Sequence, residues 1–500
     1  MQGHGTSHGS GTPPGRTVAL LRADEGEGSG TESGEPRGKG LGRARRTPTP
    51  PLGLMGTAAA VRSGTKLAQG TDLRLRLLDA ATEDGGNSRA VPRALEMRPD
   101  AIVMGLEERT RDDRLGPLLD AGTRIQNAGP RGALRVALVD ENHRAAEVLL
   151  RENAADLVVR GEADGALPGV LAGAFEGRKD WTGVRGVSWL KENGENAHER
   201  PAPSAIHLPS PAWDLVELDR YRGPEASLLE RVGMGRLEKM GRQRFGLRKV
   251  PRRAGSGERA TILTTRACAP DCPTCHGSFG TAGRDRSVRD VVAEIRDLVT
   301  RRGVRTLEIA DHAFDGQPAR ALEIANAIAL LASAPNMRGL RVRFTNGFRG
   351  DGLTDEMIDA LLRVGVRRFP LAIGTGSVRL QRLLKRNIHL DAAERALARI
   401  DERGGLGHVR LYLGLPTETT GEVALTLRWA ARSRAHTAEF LRGSEVDLGP
   451  LWRRDESAEI DDFPSLRLRA LRTFYGSPSR AGRILRASPR ALFARPRTEP

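Results

Sequence analysis

Cysteine is nearly absent, with three residues in 500. So few thiols exclude a disulfide framework and suit a reducing compartment. Long apolar runs are missing too: the nearest to the roughly 18 residues of a membrane span, around Ala321 to Ala334, is broken by Glu323 and Asn326. Aromatic residues make up 4% of the chain, which leaves few platforms for stacking single-stranded nucleic acid. Lysine is scarce beside arginine, and the net charge of +16 is spread along an Arg-, Ala- and Gly-rich chain, a compositional bias more than a built phosphate-binding patch. The start, Met1 to Pro14, has no apolar core for a secretory signal, so the expectation is a cytoplasmic protein.

All three cysteines that are present fall within eight residues, as Cys268, Cys272 and Cys275. The spacing C-x3-C-x2-C lets one short loop turn three thiolates toward a single centre. Three readings compete. Buried thiols can simply pack as small apolar groups. A Cys3His zinc site would need His276 or His312, and His276 follows Cys275 too directly for easy joint ligation. A [4Fe–4S] cluster with one metal position open to an outside ligand fits the spacing better.

The remaining pattern divides the chain. Residues 1–50 read as a largely disordered segment with one strand near 17–21. In residues 51–200 strands near 73–78, 101–104, 134–139 and 156–159 alternate with helices, which implies a doubly wound parallel sheet, a Rossmann-like α/β domain. Residues 201–256 read as a basic linker that could guide an acidic substrate or be a plain solvated helix. In residues 257–445 six β/α repeats, from Thr261–Thr264 to Glu439–Leu441, predict a partial (β/α)6 barrel. Residues 446–500 read as a C-terminal extension with a helix remnant and a disordered basic tail.

The run Thr264-Thr265-Arg266-Ala267-Cys268 leading into C-x3-C-x2-C resembles the cluster loop of the radical S-adenosylmethionine (radical SAM) enzymes, in the subgroup with a cobalamin-binding domain in front. Ala267 and Thr274 depart from that pattern, which usually has Gly and an aromatic residue there. The resemblance implies that Cys268, Cys272 and Cys275 bind three irons of a [4Fe–4S] cluster while S-adenosylmethionine chelates the fourth. One electron, from a flavodoxin- or ferredoxin-type donor, would then release a 5′-deoxyadenosyl radical that takes hydrogen from a small-molecule or peptide substrate. Arg160-Gly161-Glu162, Gly183 to Ser188, Pro209 to Asp214 and Pro51 to Leu54 look like landmarks of the cobalamin-binding domain. Bound cobalamin would imply methyl transfer or rearrangement. Acidic Asp140-Glu141 and Glu107-Glu108, where small residues usually let backbone approach a corrin, leave open a domain that keeps the fold without the cofactor.

Strand ends nominate the other site residues. Asp311 stands where the family has an acidic motif and would hold the ammonium of S-adenosylmethionine, unless it caps the next helix. Thr375 stands where an acidic residue usually meets the ribose, so Thr375 or Ser377 would bond its hydroxyls. Gly414-Leu415-Pro416-Thr417-Glu418-Thr419 matches the family's G-L-P-x-E-T, whose backbone, at Gly414 and Pro416, would lie near the adenine. Two alternatives remain: a catalytically degenerate iron–sulfur and S-adenosylmethionine-binding protein, and an RNA-modifying radical enzyme, which would need further cysteines.

Overall fold

The computed structural model describes residues 15–24, 50–65, 72–83, 85–106, 115–128, 132–139, 143–200, 209–221, 258–266, 285–337, 339–415, 417–443 and 462–492. They form two compact units, residues 1–221 and 222–500.

In the first unit β1 (Arg16–Arg22), β2 (Leu73–Asp79), β3 (Ala101–Gly105), β4 (Leu134–Val139) and β5 (Leu157–Arg160) pair in parallel in the order β2-β1-β3-β4-β5. Their apolar runs are buried on both faces, as a parallel sheet between helix layers requires. One face packs on α2 (Asn87–Glu96), α3 (Gly116–Ala128) and α4 (His143–Arg151), the other on α1 (Leu52–Gly64) and α5 (Ala163–Phe175). The predicted doubly wound sheet is present. It places the switch in strand order between the carboxyl ends of β1 and β3.

Three features differ from the sequence reading. The strand near 17–21 is not an isolated piece of residues 1–50 but sits between β2 and β3 at the centre of the sheet, because Val18 to Leu21 are wholly buried. The sheet is not purely parallel: β6 (Val187–Leu190) and β7 (Asn196–His198) close its edge as an antiparallel hairpin. Buried Arg160 ties the hairpin to β5 by donating to Ser188 Oγ (2.8 Å) and to the Glu199 carbonyl. Residues 209–221, assigned to the linker, instead belong to this unit. Ala212 donates its N–H to Met55 O (3.0 Å), Asp214 takes a two-pronged bond from Arg62, and Tyr221 donates its hydroxyl to Asp79 (2.7 Å).

Among its described residues the second unit holds six parallel strands in sequence order. These are β8 (Glu258–Ile262), β9 (Val304–Ile309), β10 (Arg341–Phe344), β11 (Arg368–Gly374), β12 (Leu406–Leu413) and β13 (Thr437–Arg442). They form two three-stranded halves, joined where Phe348 bridges Leu371 beyond the end of β10. Between strands run α6 (Val288–Thr300), α7 (Pro318–Ala332), α8 (Asp355–Arg363), a short α9 (Val378–Leu383), α10 (Leu390–Glu402) and α11 (Thr420–Arg432). Their starts carry local signals: Ser287, Thr354 and Ser377 each accept a backbone N–H as caps, and Thr419 with Glu422 forms a capping box. The expected partial (β/α)6 barrel is thus observed.

After the barrel the structure departs from expectation. Two helices, α12 (Phe463–Tyr475) and α13 (Pro478–Leu492), cover residues read as an extension with no more than a helix remnant before a disordered tail. Pro478 opens α13 at the first helical position, where a missing N–H costs nothing. Arg480 is wholly buried, donates to the carbonyls of Ala430, Ala431, Ser433 and Ala435 (2.7–3.1 Å), and stacks on Phe474 at 3.4 Å. A Pro/Arg/Ser-rich composition hides such an anchor.

Candidate active site

Parallel strands bring their carboxyl ends to one side of the barrel, where loops converge. The cysteine segment follows β8. Cys268, Cys272, Cys275 and His276 lie outside the described residues, but both stems of the segment are described. Thr265 pairs with Asp285 as an antiparallel bridge, and Arg286 donates its N–H to Thr264 O at 3.1 Å. The chain therefore leaves and rejoins the barrel at one place, and residues 266–284 begin and end side by side at the carboxyl end of β8.

Asp311, just beyond β9, braces that stem. Its Oδ1 accepts the N–H groups of Thr264 (2.7 Å) and Thr265 (3.4 Å), and its Oδ2 accepts the Thr264 hydroxyl. Burial raises its pKa to about 6, against these bonds and the nearby charge of Arg320. It caps no helix, since the residue preceding α7 is Gln317. Arg320 of α7 donates to the carbonyls of Thr264 (2.8 Å) and Arg286 (2.7 Å), so one guanidinium holds both stems. Arg286 donates to Leu263 O (3.0 Å) and pairs with buried Glu294 of α6. His312 is half-buried.

At the end of β11, Thr375 is wholly buried, lies 3.1 Å from the Thr426 hydroxyl and accepts the Ser377 N–H at 3.2 Å. Ser377 donates to Glu422 Oε1 (2.7 Å) while capping α9. Both hydroxyls are therefore engaged within the protein. Gly376 between them packs on α11, where a Cβ would come within 2.7 Å of the Thr426 Cα.

Gly414, after β12, takes a positive φ of 75° and donates its N–H to Glu418 Oε2 at 2.6 Å; Leu415 donates to the same oxygen at 3.1 Å. Pro416 lies outside the described residues. Glu418 is 3% exposed, and burial pushes its carboxyl up to about 7 against those two bonds. Its Oε1 has no hydrogen-bond partner among the described residues. The motif pointed to the backbone here and missed this carboxylate; nothing in the sequence singled out Arg320.

Among the described residues no group of three or more His, Cys, Asp or Glu side chains could hold a metal ion. In the first unit Ala23 and Gly105 follow or end the two strands of the switch, joined by Ala23 N–H to Gly105 O at 2.9 Å, so no bulky side chain stands at those positions. Asp140, Glu141, Glu107 and Glu108 lie outside the described residues.

Residues 262–430, from the end of β8 to the close of α11, match the model of the radical SAM superfamily. The second unit thus carries a radical SAM domain. An uncharacterized methyltransferase of Pyrococcus horikoshii is 24% identical over 302 residues, 59% of this chain and 57% of that protein. The chain thus spans just over half of that relative's length. The radical SAM methyltransferase TsrM of Kitasatospora setae, solved with tryptophan substrate and a SAM analogue, covers 85% of this chain and 72% of its own at TM-score 0.59 and 18% identity. The cobalamin-dependent radical SAM enzyme OxsB, solved with aqua-cobalamin and S-adenosylmethionine, covers 94% of this chain and 56% of its own at TM-score 0.58 and 14% identity. The likeness in fold extends through both units. No described helix of the radical SAM domain or of the first unit is long and apolar enough to cross a membrane.

Proposed function

We propose that the chain is a radical SAM enzyme in which Cys268, Cys272 and Cys275 hold a [4Fe–4S] cluster at the barrel mouth. The observation that carries this reading is the closed stem: a segment holding every cysteine of the chain starts and ends at the carboxyl end of the first barrel strand, under Asp311 and Arg320. When bound, the cluster and S-adenosylmethionine supply reductive cleavage of the sulfonium. The protein's part is orientation and exclusion of water. S-adenosylmethionine would lie along the strand ends at Asp311, Thr375 to Ser377 and Gly414 to Pro416. Because the side chains of Asp311, Thr375 and Ser377 are engaged internally, these positions would meet it mainly through backbone groups.

In the same reading the first unit takes cobalamin at the carboxyl ends of β1 and β3, where Ala23 and Gly105 leave backbone near the switch. The reaction class is then methyl transfer to an unactivated carbon or a rearrangement. A flavodoxin- or ferredoxin-type protein in the cytoplasm would supply the electron.

Anaerobic reconstitution tests the proposal: about four irons per chain are expected, with 5′-deoxyadenosine or S-adenosylhomocysteine formed under dithionite with hydroxocobalamin present. Stoichiometric zinc without iron removes it. The internal engagement of Thr375 and Ser377 favours a second reading, a protein that binds cluster and S-adenosylmethionine without turnover. An intact cluster, bound S-adenosylmethionine and neither product would select it.

A further inference from the structure

Side chains alternate between the two faces of each barrel strand. One face is the buried apolar core that includes Leu307, Ile309 and Val342. The opposite face turns to the lumen, which in closed barrels is filled by branched apolar residues. Here it carries Arg259, Glu308, Arg341 and Arg343 in one half and Arg368, Arg410 and Glu439 in the other, five guanidinium groups to two carboxylates. The pairing register sets Arg343 beside Glu308, and Arg410 between Ala372 and Glu439.

Arg410 is the most informative of these. From β12 it reaches past β11 to the loop after β10, where Nη1 and Nη2 approach Asn346 O and Thr345 O at 3.4 and 3.3 Å. Its Nε lies 3.4 Å from Glu439 and makes no hydrogen bond among the described residues, although it is buried. All three separations exceed the roughly 2.7–3.2 Å of a well-formed N–H···O bond. The guanidinium therefore lies beside the loop, one to two residues past the end of β10, the strand that carries Arg343. Adjacent His408 is held neutral, its pKa pushed well below the usual value by burial and then by the charges of Arg368 and Arg410.

Resting on the radical SAM reading, we infer that the substrate carries an anionic group, a carboxylate or phosphate, received in the barrel lumen by Arg410 together with Arg343. A planar guanidinium with unfilled donors takes such a group in two parallel bonds, which a lysine cannot reproduce. The carboxylate of S-adenosylmethionine is the other possible source of that anion, and the experiment separates the two.

Calorimetric titration of the full-length protein with inorganic pyrophosphate and with citrate, at constant ionic strength, reads the site directly. At least one should bind, and Arg410→Gln and Arg343→Gln should each weaken binding about tenfold, the effect of losing a charge-assisted bidentate bond. Arg410→Lys should recover part of the loss. Arg301→Gln, on an 83% exposed side chain, should change nothing. Circular dichroism and thermal melting identify any variant that fails to fold, and Arg410→Lys then carries the test. Binding of S-adenosylmethionine to the reconstituted protein should be unaffected by Arg410→Gln. If neither anion binds, if Arg301→Gln weakens binding as much, or if S-adenosylmethionine binding falls with anion binding, the inference is overturned. A protein that binds the anions but takes no iron would instead defeat the enzymatic reading and leave the lumen site standing.

Discussion

Thr264 gives its backbone N–H to one oxygen of Asp311 and its hydroxyl to the other, so a single carboxylate fixes the residue at which the chain turns from β8 into the cysteine segment. Asp311→Ala leaves two buried N–H groups and a hydroxyl without their acceptor, at a cost of about 1–3 kcal/mol each for groups that water does not reach. The expected outcome is a lower melting temperature and a reduced iron content after reconstitution. Asp311→Asn, which keeps one acceptor oxygen, should fall between it and the parent. Metal analysis on samples matched by circular dichroism checks the order.

Glu418 predicts a pH dependence. Its folded pKa, about 7, lies above the ordinary 4.5. The folded state therefore prefers the protonated carboxyl. Its favourable contribution is complete below pH 4.5 and is lost as pH rises through 7. The loss approaches about 3 kcal/mol. Asp311 and Asp315, each raised to about 6 by burial, act with the same sign over a lower window. Glu418→Gln, which mimics the protonated form, should flatten the part between pH 4.5 and 7. Denaturant melts of the two proteins at several pH values measure the difference.

Arg480→Met should release α13. The methionine fills the space on Phe474 but satisfies none of the four carbonyls, and about 2 kcal/mol or more of stability should go with them. Hydrogen exchange should rise in residues 478–492 and at the end of α11 while the first unit stays protected. An unchanged exchange pattern would contradict the anchoring role.

Cys268→Ser should abolish iron retention and leave the melting temperature of the metal-free protein unchanged. Loss of fold in that variant would instead point to a structural thiol. Iron analysis beside a thermal melt distinguishes the two.

The strands and most helices were legible because their apolar periodicity is regular: Val18 to Leu21 and Ala101 to Met104 are runs that only burial explains, and Val409, Leu411 and Leu413 alternate as one buried strand face does. What escaped the reading depends on partners far apart in sequence. Arg160 stands in a motif, but its part as a buried tie shows only when Ser188 and the Glu199 carbonyl meet it, and that of Arg320 only when the two stems of the cysteine segment come together. The lumen charges were visible as residues, but which side of each strand they take follows from the register of six strands. Thr375 and Ser377 were found by their place at a strand end; that Thr426 and Glu422 already occupy their hydroxyls is a tertiary fact.

Among the described residues the main-chain hydrogen bonds between the two halves of the barrel run through one residue: Phe348 donates to Pro370 O and accepts from Ala372 N, each at 2.8 Å, and Gly347 beside it has φ 98° where any Cβ would collide with Pro370 O. Elsewhere each strand is stitched to its neighbour over four or more residues. Main-chain pairing across the seam is therefore thinner than within either three-stranded panel, so the two panels can shift against each other more readily than their own strands can part. A side chain in place of Gly347 would press on Pro370 and strain those two bonds before any other in the wall.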